Sequence, residues 1–357
     1  MTGLYIHIPF CKRKCFYCDF ISFNYGERKA DDYIKALFKE SRKYKKEKIS
    51  TVYIGGGTPS MLSADQLQAL IDGIKKNFDI SEIEEFTVEL NPESASAEKL
   101  KLLYDNKISR ISFGLQSSND EELKILGRLH TYNEFLNAYS NARNTGFDNI
   151  SIDLMYGIET QSAESWQKTL DTVLKLNPDH ISLYPLTIEK YTPFYNQNKK
   201  VDYDLQGIMY NAACEKLKDS GFTHYEISNW AKDGKFSKHN ILYWKNKEYI
   251  GLGASASSYY KRQRYKNILN ADIYIKNLQC AQSCVLETEN IDDSLYKTET
   301  IMLGLRLSEG VDLSLFNHKQ QTLYKYLKQD LLVIRDGKVC LTEKGFWVSN
   351  SIISDFM

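Results

Sequence analysis

The densest chemistry in the chain lies close to its start, in Cys11-Lys-Arg-Lys-Cys15-Phe-Tyr-Cys18. Thiolates hold the iron of iron–sulfur clusters, and one short loop has to wrap them around the cube. Three cysteines spaced four and three residues apart can cap three irons of a [4Fe–4S] cluster. The fourth iron then has no cysteine from this loop, and an open position on a metal is where a small molecule binds directly. Lys12, Arg13 and Lys14 would offset the negative charge of the thiolates. Two other readings exist: three thiols packed together without a metal, or a zinc site. Free cysteine in a core usually sits alone, and zinc wants a fourth ligand, for which His7 is the only neighbour in sequence. Iron–sulfur chemistry is the expectation.

Other residues of chemical interest follow at intervals. Gly55-Gly-Gly-Thr-Pro-Ser60 lets backbone approach a ligand unobstructed, or is an ordinary tight turn. Glu89 stands in Val88-Glu-Leu-Asn-Pro92, Gln116 in Phe113-Gly-Leu-Gln-Ser117 and Asp153 in Ser151-Ile-Asp-Leu-Met-Tyr-Gly157. Arg128, in Gly127-Arg-Leu-His130, is suited to a carboxylate. Each alone reads equally well as a satisfied structural polar group; together, at the ends of successive strands, they favour a pocket. His239-Asn-Ile-Leu-Tyr-Trp244 offers an imidazole and two aromatic rings. That is either an axial ligand with stacking partners for a haem, or a core histidine beside packing aromatics.

The elements that must position these groups show a repeating pattern. β-rich runs at Leu4–Ile8, Thr51–Ile54, Phe86–Leu90, Arg110–Leu115, Asn149–Met155 and His180–Leu186 alternate with amphipathic stretches such as Asp31–Lys46, Ala64–Asn77, Ala97–Tyr104, Tyr132–Thr145 and Ala163–Leu176. Strand–helix alternation implies a parallel sheet with right-handed crossovers, as an incomplete barrel or a doubly wound sheet. Both place functional residues at strand C-terminal ends, where these residues fall. After about residue 190 come a helix near Asp204–Ser220 and an irregular region that includes His239–Trp244. Helices, a hairpin turn at Asp336-Gly337 and a last helix from about Glu343 then predict a winged-helix-like end. Cys280 and Cys284 are expected as core or surface thiols on a helix, and no second cluster framework is visible.

The chain has 357 residues, 42% of them hydrophobic, and 46 basic against 46 acidic residues. Zero net charge disfavours a nucleic-acid binder, whose affinity rests on phosphate neutralisation. The N-terminus lacks a signal-peptide pattern, and no window approaches the roughly 20 apolar residues of a membrane span. A cytoplasmic protein that does not span a membrane is expected, so the cysteines read as thiols or metal ligands.

The C-x3-C-x2-C loop resembles the signature of the radical S-adenosylmethionine (SAM) superfamily. With the strand-end motifs, the chain is similar to the oxygen-independent coproporphyrinogen III oxidase family, and within it to the HemW-type haem chaperone branch. The resemblance implies an α/β fold: an incomplete (β/α)6 parallel barrel over residues 1–190, a barrel extension with the H-N-x-x-Y-W region over 191–290, and a C-terminal winged-helix-like domain over 291–357. It implies a [4Fe–4S] cluster on Cys11, Cys15 and Cys18. It further implies SAM lined by Tyr5, Gly56, Gly57, Thr58, Glu89 and Arg128, with Gln116 and Asp153 near it or near a second ligand. Tyr17 and Phe20 would pack by the cluster, and His239 would ligate haem. The oxidases of the family carry another cysteine two residues after the third, where Phe20 stands here, and a longer N-terminal extension. Both departures imply haem binding and delivery to an acceptor protein, a respiratory one by the resemblance, in place of enzymatic porphyrinogen decarboxylation. The rival reading is the oxidase itself, which converts propionates of coproporphyrinogen III to vinyl groups. An electron donor for the cluster is implied as a partner, and a homodimer is an admissible assembly.

Overall fold

The computed structural model describes residues 1–357. Seven parallel strands form its centre. They are β1 (Thr2–Ile8), β2 (Ile49–Gly56), β3 (Glu85–Leu90), β4 (Arg110–Gln116), β5 (Ile150–Tyr156), β6 (His180–Pro185) and β7 (Tyr249–Leu252). Spatial order runs β7-β1-β2-β3-β4-β5-β6 inside a twelve-stranded sheet, with antiparallel strands added at both edges. The pattern of the sequence predicts six parallel strands. The seventh, β7, is too short to be distinguished by periodicity, and it is fixed by pairing all four of its residues with Gly3–Ile6 of β1.

Both faces of a parallel sheet are covered, so its strands read as apolar runs. Leu4, Ile6, Ile8, Val52, Ile54, Val88, Ile111, Phe113, Ile152 and Ile181 are all buried in one core of 56 residues. The residues alternating with them, among them Tyr53, Glu89, Asp153 and Tyr184, point to the other face, which is polar.

Helix boundaries follow local chemistry. Ser63 with Gln66 and Thr131 with Glu134 form reciprocal capping boxes at the starts of Ala64–Asn77 and Tyr132–Thr145. A helix over Asp120–Leu126, which lacks a full periodic repeat, ends at Gly127 with φ 75°. That left-handed turn redirects the chain so that Arg128 heads into the sheet mouth. His239 lies in a short helix, Lys238–Trp244, capped by Ser237, in the region expected to be irregular. Cys280 closes the helix Ala271–Gln279, whereas Cys284 lies beyond it, buried against Glu40 at 3.4 Å; the two do not share a helix.

A second apolar cluster of 13 residues runs from Ile301 to Phe356. There the hairpin Leu332–Arg335 and Lys338–Leu341 turns at Asp336 and Gly337, both with positive φ, and the helix Glu343–Trp347 follows. Helix Asp293–Gly304 joins this cluster to the sheet edge. No helix is long and apolar enough to cross a membrane.

Candidate functional site

The cysteine loop leaves β1 at Ile8 and is closed at its base. Phe10–Cys11 pairs in parallel with Phe23–Asn24, and Tyr25 N–H donates to the Cys11 carbonyl at 3.1 Å. Its far side is tied down by Phe16 N–H on the Leu126 carbonyl and by the Arg13 guanidinium on the Gly127 and Arg128 carbonyls at 2.8 and 3.2 Å. The sequence suggests only charge compensation for Arg13; its structural part is to clamp the loop to the segment that carries Arg128. Gly127 also leaves room for Phe16, whose ring lies 3.0 Å from where a Cβ would stand.

Cys11, Cys15 and Cys18 line a cavity of about 510 Å³ together with Gly56, Gly57, Thr58, Glu89, Gln116, Arg128, Asp153, Tyr17 and Phe20. Cys11 Sγ is 3.6 Å from Thr58 Oγ1, and Arg128 donates to Cys15 Sγ at 3.6 Å. Burial pushes the thiols of Cys11 and Cys18 up, the latter to about 11. Iron would therefore have to displace protons on binding. No group of three His, Cys, Asp or Glu side chains is gathered tightly enough to hold a single metal ion. The donor set nonetheless fits a cluster: three thiols from one loop face one cavity, and a cubane holds its thiolates farther apart than one ion does.

Opposite the thiols, β2 ends in the glycine turn. Gly57 N–H donates to the Ile8 carbonyl and Thr58 N–H to the Phe10 carbonyl, both at 2.9 Å. A Cβ on Gly57 would lie 2.9 Å from both carbonyl oxygens, and one on Gly55 would lie 2.8 Å from the Glu89 carboxylate. Glu89 accepts from the Tyr53 hydroxyl at 2.6 Å and from Gly56 N–H at 3.1 Å. Burial outweighs these bonds and raises its pKa to about 7. Asp153 accepts from Ser112 at 3.1 Å, and burial raises its pKa too. Gln116 adopts φ 72°, at a register break in β4 that turns the strand end toward the cavity.

Asn91 is a site residue that the sequence reading passes over. Its amide donates to Thr58 Oγ1 at 3.0 Å and accepts from Arg128 at 2.8 Å, so it links the glycine turn to the arginine. Arg128 also donates to the Gly114 carbonyl at 2.6 Å, while its Nε is buried without a partner. The only advance signal for Asn91 is its place two residues after Glu89 at the same strand end.

Two expected site residues are not brought to this cavity. Tyr5 faces a separate cavity and bonds to His7 Nδ1 at 2.9 Å. His239 is wholly buried, with Nδ1 held by Thr51 Oγ1 at 2.8 Å and Nε2 by the Tyr243 hydroxyl at 2.7 Å. Its ring stacks on Tyr53 at 5.3 Å, and burial lowers its pKa to about 3. The expected axial nitrogen is thus not free in this conformation: the position is that of a satisfied core imidazole. Trp244 has its ring beneath Arg306.

Residues 5–173 match the radical SAM superfamily and residues 296–348 match the HemN C-terminal domain. The chain is 36% identical to the heme chaperone HemW of Lactococcus lactis, with 100% of this chain and 97% of that protein covered. It is 35% identical to the heme chaperone HemW of Bacillus subtilis, with coverage of 100% and 99%. Among solved structures it is similar to the coproporphyrinogen III oxidase HemN of Escherichia coli, with a TM-score of 0.87 and 22% identity over 99% of this chain and 89% of that one. The last likeness shows the shared fold.

Proposed function

Because the chain belongs to the family of the heme chaperone HemW, within the radical SAM superfamily, we propose that it binds haem and passes it to acceptor proteins. The observation that carries this reading is the match along the entire length of relatives named as haem chaperones. Phe20 agrees with it: at the position where the oxidase pattern has a cysteine stands an apolar ring, 61% exposed.

The scaffold would hold a [4Fe–4S] cluster through Cys11, Cys15 and Cys18, and SAM in the same cavity. When bound, the pair supplies an electron and a reactive sulfonium. Thr58 and Arg128 sit beside two of the thiols and would stabilise their ionised form. Glu89 presents a carboxylate to an ammonium group, and Arg128 a cation to a carboxylate, both in the lining of the cavity. Such charge-assisted bonds are roughly twice as strong as neutral ones. Gly56 and Gly57 line the same cavity, and their missing side chains let the turn pack on the His7 ring and on the Ile8 and Phe10 carbonyls. For His239 to reach haem iron, Tyr243 must first leave its Nε2.

The deciding experiment is anaerobic reconstitution followed by parallel assays with haem and with coproporphyrinogen III, SAM and a strong reductant. Stable haem binding without protoporphyrinogen formation is expected. Robust turnover of the porphyrinogen would overturn the chaperone reading.

A further inference from the structure

A second cavity, of about 720 Å³, lies between the β7 edge of the sheet and helix Asp293–Gly304. It shares with the space by the cysteines only Asp19 and Phe20 of the cluster loop. The cysteine-lined space would hold the cluster and SAM, and this second space would give a bulky cargo room of its own. The size falls within the roughly 300–1,000 Å³ range of organic-ligand sites.

The walls are chemically divided. Tyr5, Tyr243, Tyr249 and Tyr259 supply flat aromatic surface. The one buried acid of the wall, Glu299, is already held by Arg264 at 2.7 Å, and Arg264 also holds Glu289 at 3.0 Å. Two further cations, Lys247 and Lys266, line the cavity without an ion pair inside the chain, although Glu287 lies across the strand from Lys266. Asp19, exposed at the shared wall, is the remaining acid. Aromatic walls with two uncommitted ammonium groups fit a flat, apolar molecule that carries two carboxylates.

We infer that this cavity is the haem-cargo site, with the porphyrin between the tyrosines and its two propionates on Lys247 and Lys266. The inference rests on the haem-binding reading above and adds where the cargo sits and what holds its acid edge. It also puts the cargo against Tyr243 and next to Phe20 of the cluster loop, with His239 outside the cavity lining.

The test uses the full chain, as wild type and as Lys247→Gln/Lys266→Gln, titrated with haem and with its dimethyl ester. Neutral glutamines leave the strand pairing of Lys266 opposite Glu287 undisturbed, and circular dichroism checks the fold. Wild type should bind haem at least tenfold more tightly than the ester. The double variant should lose that preference and bind haem about tenfold more weakly, with ester binding unchanged. Equal haem affinity in the two folded proteins would overturn the site while leaving haem binding intact. A wild type that binds neither compound would overturn this inference together with the chaperone reading.

Discussion

Glu89 is the most informative residue to perturb, because its environment makes opposite demands on fold and ligand. The carboxyl is buried and its pKa stands at about 7, against 4.5 for an ordinary glutamate. Between those values the folded chain holds a proton that the unfolded chain has released, so stability falls as pH rises through this window and the loss is complete above pH 7. At about 1.36 kcal/mol for each pH unit, carrying the charge costs the fold about 3 kcal/mol, of which about 2–3 kcal/mol appears between pH 5 and pH 8. Glu89→Gln keeps the shape and one acceptor oxygen but removes the charge. Urea unfolding of metal-free wild type and variant, at steps from pH 5 to pH 8, should show wild type losing that amount relative to the variant. Glu226, raised to about 7 by burial as well, contributes equally to both proteins and cancels in the difference. The variant should bind SAM more weakly by about tenfold or more, since a hydrogen bond to a charged group contributes roughly 1.5–3 kcal/mol. Parallel pH profiles would refute the argument, because the carboxylate would then be hydrated and its charge free of cost.

Cys15→Ser should abolish the roughly four irons per chain expected after anaerobic reconstitution; full iron content in the triple Cys11/Cys15/Cys18→Ser variant would remove the cluster from this loop. Gly57→Ala should cost about 1–3 kcal/mol in unfolding and reduce iron retention, because its methyl group would press on the Ile8 and Phe10 carbonyls just ahead of Cys11. Tyr243→Phe deletes the hydroxyl that occupies His239 Nε2. Because the ring that lines the cavity is kept and only the bond to His239, about 0.5–1.5 kcal/mol, is lost, haem affinity should stay within about twofold of wild type in an optical titration; a gain of about two- to tenfold would instead show that His239, once released, ligates the iron.

The spacing of Cys11, Cys15 and Cys18 could be read without a fold because one loop supplies all three thiols, and local sequence fixes local geometry. The strand–helix alternation was legible for a similar reason: apolar runs and capping residues such as Ser63 and Thr131 act within a turn or two. Glu89, Gln116 and Asp153 could be nominated from their places at strand ends, since parallel strands bring those ends to one side; Arg128 reaches them only through the left-handed turn at Gly127 after a helix. The seventh strand could not, because Tyr249–Leu252 becomes a strand only by lying along β1. Asn91 gains meaning only once Thr58 and Arg128 stand on either side of it, and Arg13 only once Gly127 and Arg128 offer their carbonyls. The difference is sharpest at His239 and Tyr5. Their residue types suit haem and SAM, but which way an imidazole or a phenol faces depends on partners far away in sequence. Thr51 and Tyr243 hold both nitrogens of His239, and with Leu4 and Ile6 packed in the core the alternation of β1 leaves Tyr5 lining the second cavity. Residue chemistry and short-range spacing were set by the sequence itself; burial and direction were decided by contacts that exist only when the chain is folded.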